Sequence, residues 1–334
     1  MRSPGELPAL SRSPFVSTGS LPTAEETQAI VDQAYALFSS STEGLNAQVY
    51  PALARVPPEL FGICVVGASG SVYQAGAADY EFAIMSVSKP FVFALVCEVI
   101  GVEEARARIG ANATGYPFNS LAGIERSPDG RTNPMVNSGA IATTSLVPGA
   151  THEQKWRFLY DGLSRFAGRR LLMHEEVLES ALVTNYRNQS IARMLQSCGA
   201  IYLDPLEAVD LYTRQCCLSV SARDLAVMAA TLADGGVNPI THERVVDASV
   251  CRYALAVMAT AGLYETSGDW LYDTGLPGKS GIGGGILAVA PGKGGLGTFS
   301  PPLDKAGNSV RGQLAAKYLS QQLGMDLFAS KPQV

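Results

Sequence analysis

Segments typical of β-strands occur near both ends of this chain, while the long middle part has the apolar spacing of helices. The run FGICVVGASGSVYQAGA at 61–77 has two β-rich halves around Ala68-Ser69-Gly70, which predicts a hairpin. Near the other end, 283–290 and 297–300 have the pattern of strands separated by glycine-rich turns. The simplest packing joins both ends in one sheet and leaves the middle as a central all-helical lobe.

Helical patterns fill the rest of the chain. Thr23 and Glu26 fit a capping box that opens a helix to about Ser39. Further helices are predicted at 90–109, 177–196, 205–215, 221–233, 250–262 and 307–323. We expect a flexible tail at 1–22 and a single domain at 23–330, with 23–95 and 264–330 in the sheet lobe and 96–263 in the helical lobe. A cleft between two lobes is where ligand sites usually lie.

Composition excludes several classes of function. The net charge of -5 and the pI of about 5.3 argue against a nucleic-acid partner. The longest strongly apolar run, 90–100, contains Glu98 and is too short to span a bilayer, so we expect no membrane partner. Residues 1–22 lack the continuous apolar region of a signal peptide. Six cysteines without a C-x-x-C pair predict buried free thiols and a reducing, cytoplasmic location.

The three histidines, His152, His174 and His242, are scattered and share no metal-ligand spacing. We therefore expect neither a metal site nor a serine–histidine triad. If the chain is an enzyme, its base is something other than histidine.

The segment FAIMSVSKPF at 82–91 places Ser86 three residues before Lys89. On a helix these side chains share a face. Pro90 is tolerated only in a first turn, so we predict a helix start near Ser86 with unpaired N–H groups. A desolvated lysine can then take the serine proton while free N–H groups hold an oxyanion. The alternative is an ordinary helix start with a solvent-facing lysine, because chance alone gives about one S-x-x-K in a chain this long.

A second candidate is the glycine-rich segment GKSGIGGG at 278–285. Its backbone N–H groups can approach a ligand closely. A Lys279-Ser280-Gly281 strand is also the third element of serine–lysine hydrolases that carry S-x-x-K. The alternative is a simple glycine-rich turn. The spacing does not fit a phosphate-binding loop, because position 274 is threonine instead of glycine.

Asparagines and tyrosines in apolar surroundings form the third group of candidates. Asn133 and Asn137 bracket a turn and the start of an apolar helix, and either can be a turn former or a cap. In a cleft, an asparagine amide also recognises a carboxamide or carboxylate through donor and acceptor together. The same two interpretations apply to Asn188. Tyr212 and Tyr264 are by default amphipathic core residues.

Together these segments resemble the serine-dependent glutaminases, which share the fold of β-lactamases and penicillin-binding proteins. The resemblance covers about residues 24–323. Its most specific segments, in family order, are SVSKP, NPMVNSGAI, YRNQSIA, AATLADGGVNPIT, GLPGKSGIGGGI and SPPLDKAGNSV. It implies an α/β (α+β), β-lactamase/transpeptidase-like fold with an antiparallel sheet flanked by helices. It also implies a hydrolase of linear amides that converts L-glutamine to L-glutamate and ammonia.

The resemblance implies a role for particular residues. Ser86 matches the family nucleophile, Lys89 its activating lysine, and Tyr264 the tyrosine that assists proton transfer. Ile282 matches the residue whose N–H completes the oxyanion hole with that of Ser86, and Ser88 is expected to be structural. Matches to substrate-binding positions are Asn137, Asn188, Tyr212 and Tyr50. No metal or organic cofactor is implied, and a homodimer or homotetramer built partly through the helical lobe is suggested.

Three positions depart from the family pattern. Met85 replaces a glutamine before the nucleophile, Tyr186 replaces an aspartate, and Ala181 replaces the glutamate expected to bind the substrate α-ammonium. Glu179 is two residues away and would point off a different helix face. A charge-assisted hydrogen bond to an ammonium is worth about 1.5–3 kcal/mol, or one to two decades in affinity. Three hypotheses remain: a glutaminase with a rebuilt amine pocket, a serine amidase for a related amide without the free α-ammonium, and a non-catalytic homologue.

Overall fold

The computed structural model describes residues 19–330, so most of the predicted tail at 1–22 lies outside the described residues. The helices are α1 Ala24–Phe38, α2 Pro51–Ala54, α3 Lys89–Ile100, α4 Val102–Ile109, α5 Ala122–Glu125, α6 Asn137–Thr144, α7 His152–Ala167, α8 Glu175–Thr184, α9 Tyr186–Ser197, α10 Pro205–Cys216, α11 Ala222–Ala233, α12 Ala248–Ala261, α13 Ser267–Thr274 and α14 Val310–Gln322. The strands are β1 Gly62–Gly67, β2 Val72–Gly76, β3 Phe82–Ala83, β4 Leu172–Met173, β5 Leu218–Val220, β6 Gly278–Ser280, β7 Gly285–Ala290 and β8 Gly294–Phe299. Short 3₁₀ turns occur at Met85–Ser88 and Tyr264–Thr266.

The main sheet joins the two ends of the described chain, as predicted. Its five strands run in the order β2-β1-β8-β7-β6, and every neighbouring pair is antiparallel. The predicted hairpin is β1–β2, and β1 pairs with β8 from Gly62 opposite Phe299 to Gly67 opposite Gly294. The predicted mixed α/β fold with an antiparallel sheet flanked by helices is confirmed.

Side chains of β1 alternate between the two faces of this sheet. Ile63 and Val65 pack in a core with α1 and α14, whereas Cys64 and Val66 pack against α11. The capping box of Thr23 and Glu26 fixes the start of α1, as predicted. Helices therefore cover both faces of the sheet, and all six residues of β1 are buried.

Helix α11 packs against the sheet although it lies inside the predicted helical lobe. Two glycines on β8 permit this close approach, because a Cβ atom at Gly295 or Gly297 would collide with the α11 backbone. At Gly297 the obstacle is the Ala222 carbonyl oxygen, and at Gly295 it is the Ala230 nitrogen. The spacing of apolar residues along α11 predicts a helix, but it does not show whether the helix packs against the sheet or among the other helices.

The central segment is not wholly helical. It contributes β4 and β5 to a small antiparallel sheet of order β3-β5-β4. These strands have two or three residues each, which is too short to show the alternation that identifies a strand. The prediction of an all-helical lobe is wrong in this detail.

Two predicted helices are each broken in the middle. The predicted 90–109 helix divides at Gly101, whose φ of 85° stops α3 before α4 begins. The predicted 177–196 helix divides at Asn185, which separates α8 from α9. Apolar residues keep nearly helical spacing across both breaks, so the pattern merges neighbouring helices into one.

Within residues 19–330, no single helix is long and apolar enough to cross a membrane. The segment Met85–Ile100 and α4 together meet that length and composition, but they are bent by 120°. Residues 89–97 are buried in the protein core.

Candidate active site

Ser86 lies in the 3₁₀ turn that leads into α3, close to the predicted helix start. Pro90 is the second residue of α3, where a missing N–H costs no hydrogen bond. The residue before the serine, Met85, has a φ of 51°, a left-handed conformation that is rare for a side chain of this size. Such strain is retained where surrounding structure enforces it, often at functional sites. The left-handed conformation of Met85 turns the chain abruptly, and Ser86 follows this turn at the beginning of a buried helix.

Lys89 is 1% exposed, and its ammonium contacts only neutral groups. Lys89 Nζ lies 3.1 Å from Ser86 Oγ and 2.7 Å from Asn137 Oδ1. The rings of Phe118 and Tyr212 lie about 6 Å from the same nitrogen. Burial lowers the pKa of Lys89 to about 8, because the charged form loses its hydration. A lysine with this pKa can be neutral near physiological pH and can accept a proton from Ser86.

Tyr264 approaches the same serine from the short 3₁₀ turn at Tyr264–Thr266. Its φ is 54°, and its hydroxyl donates a hydrogen bond to Ser280 O at 3.2 Å. Burial raises the pKa of Tyr264, and a hydrogen bond with Ser86 acts in the opposite direction. The buried Lys279 ammonium lies 4.5 Å from the Tyr264 ring centroid and donates to Gly262 O and Ser280 O. Lys279 thereby holds the tyrosine loop against β6.

A chain of amide side chains forms one wall of the site. Asn137 Oδ1 accepts from Lys89 and, at 3.2 Å, from the Tyr212 hydroxyl. Asn137 Nδ2 then donates to Asn188 Oδ1 at 3.0 Å, and Asn188 Nδ2 donates to Asn185 Oδ1 at 2.7 Å. Lys89 Nζ donates to the oxygen of Asn137, and this arrangement sets the direction of every amide further along the chain.

The chain ends on the backbone of α10. Asn185 Nδ2 donates to Thr213 Oγ1, and that hydroxyl donates to Val209 O at 2.7 Å. Both lone pairs of the Asn137 oxygen are used, whereas the Asn188 oxygen accepts one hydrogen bond, from Asn137. The sequence suggested recognition by amide donors and acceptors together. In the structure, Asn137 has only a remaining N–H to offer a ligand, whereas Asn188 has one N–H and one oxygen lone pair.

Most of the predicted site residues line one small cavity. Its lining residues are Tyr50, Met85, Ser86, Phe118, Asn137, Ala181, Asn188, Tyr212, Thr213, Cys216, Cys217 and Ile282. Lys89 and Tyr264 do not line the cavity, but both form hydrogen bonds with Ser86, which does. The N–H of Ile282 follows the β6 strand and has no hydrogen-bond partner among the described residues. All eight predicted site residues therefore lie around one small volume.

Phe118, Thr213, Cys216 and Cys217 are cavity residues that sequence reasoning missed. Thr213 and Cys216 share α10 with Tyr212, at spacings of one and four residues, so the predicted tyrosine could have indicated them. Phe118 lies in an irregular segment, and no pattern in the sequence singles it out. Ser88, expected to be structural, donates to Met85 O at 2.8 Å and points away from the cavity.

A groove of about 1130 Å³ lies along α7, far larger than this cavity, but it contains none of the predicted site residues. Four of the five arginines that line it, Arg157, Arg165, Arg169 and Arg214, are paired with acidic side chains. We place the candidate site in the small cavity because Ser86, the predicted nucleophile, lines it and contacts the buried Lys89, the predicted base. In the part of the chain that the structure describes, no group of three metal-ligating side chains is present.

Comparisons with known proteins identify the family of the chain. The fold is β-lactamase-like, and a family model described as Glutaminase matches residues 44–328. The chain belongs to the glutaminase family. It is 66% identical to Glutaminase 2 of Yersinia pestis over 95% of this chain and 94% of that protein, and 48% identical to Glutaminase of Brucella canis over 93% and 98%. The solved structure of probable glutaminase ybaS has a TM-score of 0.90 at 47% identity and covers 92% of this chain and 99% of that one.

Proposed function

We propose that the chain hydrolyses the side-chain amide of L-glutamine to L-glutamate and ammonia through an acyl-enzyme on Ser86. The observation that carries this proposal is the 3.1 Å separation of Lys89 Nζ from Ser86 Oγ inside a buried pocket. A serine hydroxyl is a weak nucleophile until an adjacent base removes its proton. Membership of the glutaminase family supports the choice of an amide as substrate.

In the first half-reaction, neutral Lys89 takes the Ser86 proton and the serine oxygen attacks the amide carbon. The carbonyl oxygen becomes an oxyanion, which the N–H groups of Ser86 and Ile282 stabilise. The C–N bond then breaks as the nitrogen receives the proton held by Lys89, either directly or through Tyr264, which passes on its own proton and takes the one from Lys89; ammonia leaves and Lys89 is neutral again. The tyrosine hydroxyl is suited to this relay because its hydrogen bonds reach both Ser86 and Ser280 O.

In the second half-reaction, water attacks the acyl carbon and gives its proton to Lys89. The ester bond breaks, Ser86 regains a proton, and the carboxylate product leaves. The sum is one amide and one water converted to one carboxylate and one ammonia. Substrate binding is assigned to Asn137 and Asn188, with Tyr212 and Tyr50 completing the wall; burial keeps the Tyr50 phenol neutral by raising its pKa to about 12.

Ammonia release from glutamine tests the proposal. Wild type should release ammonia in proportion to enzyme concentration, whereas Ser86→Ala should show only the background rate. Lys89→Met keeps the length and burial of the side chain and should lose at least a factor of about 10² in kcat, which is the usual share of a general base. Equal rates for wild type and Ser86→Ala on every amide tried would contradict an enzymatic role for this site.

We also propose a single two-lobed domain, a cytoplasmic location and a homodimer or homotetramer. Six free cysteines support a reducing compartment. Exposed apolar residues on α8 and α9, Val183 at 72% and Tyr186 at 73%, support an assembly surface on the helical lobe. Light scattering on the purified chain measures the mass; a strictly monomeric mass would rule out the oligomer.

A further inference from the structure

The side chain of Ser88 is close to Ser86 in sequence but does not line the cavity. It is fully buried, and its Oγ donates a hydrogen bond to Met85 O at 2.8 Å. Met85 immediately precedes Ser86, so this carbonyl belongs to the peptide group that also contains the Ser86 N–H. The Ser88 hydroxyl therefore anchors the peptide group that carries one of the two proposed oxyanion donors.

The direction of the Ser86 N–H depends on what holds the Met85 carbonyl. A peptide group is planar and trans, so its C=O and N–H point in opposite directions and turn together. A rotation that moved Met85 O away from Ser88 would turn the Ser86 N–H away from the oxyanion by the same angle. Among the described residues, the Ser86 N–H has no hydrogen-bond partner of its own that could resist this rotation.

The backbone at Met85 needs such an anchor. Its φ of 51° is rare for a side chain of this size, and surrounding contacts must enforce it. The 3₁₀ turn Met85–Ser88 has only four residues, and 3₁₀ hydrogen bonds have poorer geometry than those of an α-helix. The Ser88 hydroxyl adds a side-chain hydrogen bond to the strained residue itself.

Two polar side chains from the helical lobe hold the Ser88 hydroxyl in turn. Gln215 Nε2 donates to Ser88 Oγ at 3.5 Å, a long hydrogen bond, and Thr144 Oγ1 donates to Gln215 Oε1 at 3.2 Å. Gln215 and Thr144 are both fully buried. Cys216 Sγ lies 3.8 Å from Ser88 Oγ and is a weaker acceptor than a carbonyl oxygen. The single hydrogen of the Ser88 hydroxyl is therefore best used on Met85 O.

The second proposed oxyanion donor, the N–H of Ile282, is packed against the same turn. Ile282 precedes Gly283, where a Cβ atom would lie 2.5 Å from Ala83 O and 3.3 Å from Met85 Cγ. The backbone around Ile282 is thus in close contact with the residues before Ser86. Both donors are set by the geometry of this one short turn.

We propose that Ser88 is a positioning residue for the oxyanion hole: by holding Met85 O, it keeps the Ser86 N–H in the direction that stabilises the oxyanion. This inference rests on the proposed amide hydrolysis through Ser86 and adds a residue that acts on it through the peptide group. The oxyanion forms only when the serine oxygen bonds to the amide carbon. Ser88 should therefore affect the transition state and leave binding of the substrate and product unchanged.

Ser88→Ala removes the hydroxyl and tests the proposal through ammonia release from glutamine. Loss of a whole oxyanion donor costs a factor of about 10² to 10³ in kcat. The variant keeps the donor but holds it less firmly, so kcat should fall about three- to tenfold. KM and the inhibition constant of L-glutamate should stay within about twofold, and the midpoint of the pH profile of kcat/KM should match wild type, because Lys89 keeps its contact with Ser86. A kcat within twofold of wild type would overturn the inference.

The γ-methyl ester of glutamate separates the oxyanion hole from the proton relay. The ester and glutamine both pass through an oxyanion, but methanol depends less than ammonia on receiving a proton as it leaves. In Ser88→Ala, kcat/KM should therefore fall by the same factor for both substrates. A loss confined to glutamine would place the defect in proton transfer and would contradict the proposed role of Ser88.

Ser320→Ala is the matched control. Ser320 lies on α14, is fully buried, donates to Thr274 O at 2.6 Å and does not line the cavity. This variant should lose a similar amount of thermal stability but keep kcat within twofold of wild type. Equal losses of kcat in Ser320→Ala and Ser88→Ala would attribute the effect to a loosened fold and overturn the inference.

Ser88→Cys provides a second variant in case Ser88→Ala does not fold. It keeps nearly the same shape, but its S–H is only a weak donor, so kcat should again fall about three- to tenfold at unchanged KM. A kcat within twofold of wild type would overturn the positioning role and leave amide hydrolysis intact. A wild-type protein without Ser86-dependent ammonia release would instead overturn the proposed reaction itself.

Discussion

The hydrogen-bond chain along the cavity wall gives a sharp prediction at Thr213. In Thr213→Val the shape is nearly kept, but Asn185 Nδ2 loses its acceptor in a site where both residues are buried. An unpaired buried amide costs about 1–3 kcal/mol, which lowers the melting temperature by several degrees. Asn185 and then Asn188 are released to rotate, so the free N–H of Asn188, which we propose contacts the substrate, loses its fixed direction.

The expected kinetic effect falls on substrate binding. Loss of one oriented neutral hydrogen bond is worth about 0.5–1.5 kcal/mol, so KM should rise about three- to tenfold. The value of kcat should stay within about twofold, because Ser86, Lys89 and their 3.1 Å contact are left in place. Initial rates of ammonia release over a range of amide concentrations measure both parameters.

Thr213→Ser is the matched control, since it keeps the hydroxyl that accepts from Asn185 and donates to Val209 O. Its KM should match wild type. A similar rise in KM for the serine and valine variants would mean that general loosening of the site, and not loss of the hydroxyl, is responsible. An unchanged KM in Thr213→Val would refute the argument that the chain orients Asn188.

Three further predictions concern the base, the tyrosine and the sheet. Because Lys89 must be neutral to take a proton and its pKa is lowered to about 8, kcat/KM should increase with pH and level off above about 8; a profile flat from pH 6 to 9 would exclude Lys89 as the base. Tyr264→Phe removes only the hydroxyl that bonds Ser280 O, so kcat should fall by about 10² to 10⁴ while the circular dichroism spectrum is unchanged, and a kcat within threefold of wild type would remove the tyrosine from the proton relay. Gly297→Ala would force a Cβ into the Ala222 carbonyl, so denaturant unfolding should show a loss of at least 2–3 kcal/mol, and full retention of stability would contradict the close packing of α11 on β8.

Features encoded by neighbouring residues could be predicted from the sequence. The capping box at Thr23, the β1–β2 hairpin and the helix start before Pro90 each depend on residues a few positions apart. The breaks at Gly101 and Asn185 were missed because apolar residues continue at helical spacing through both. Glycine and asparagine are frequent helix terminators, but each also occurs inside helical patterns.

Features that depend on contacts between distant segments could not be predicted in this way. The orientation of the Asn188 side-chain amide, with its oxygen towards Asn137 and its nitrogen towards Asn185, depends on hydrogen bonds that also involve Lys89 and Thr213. Asn137, Lys89 and Thr213 come from three other helices. The sequence identifies the amide but not its direction. The left-handed backbone of Met85 is likewise imposed by its surroundings and has no local signal.

The pairing of β1 with β8 has a consequence for synthesis of the chain. The first strand leaves the ribosome early and remains with an open edge until almost the whole described sequence has followed, because Gly62 pairs with Phe299. The segment with Ser86 and Lys89 also precedes its partner Ile282 by most of this length. Folding must therefore close one very long loop, which is slow and exposes an unpaired strand to aggregation. A partly made chain would contain Ser86 and Lys89, the proposed nucleophile and base, before Ile282, whose N–H is proposed to complete their site, has been added.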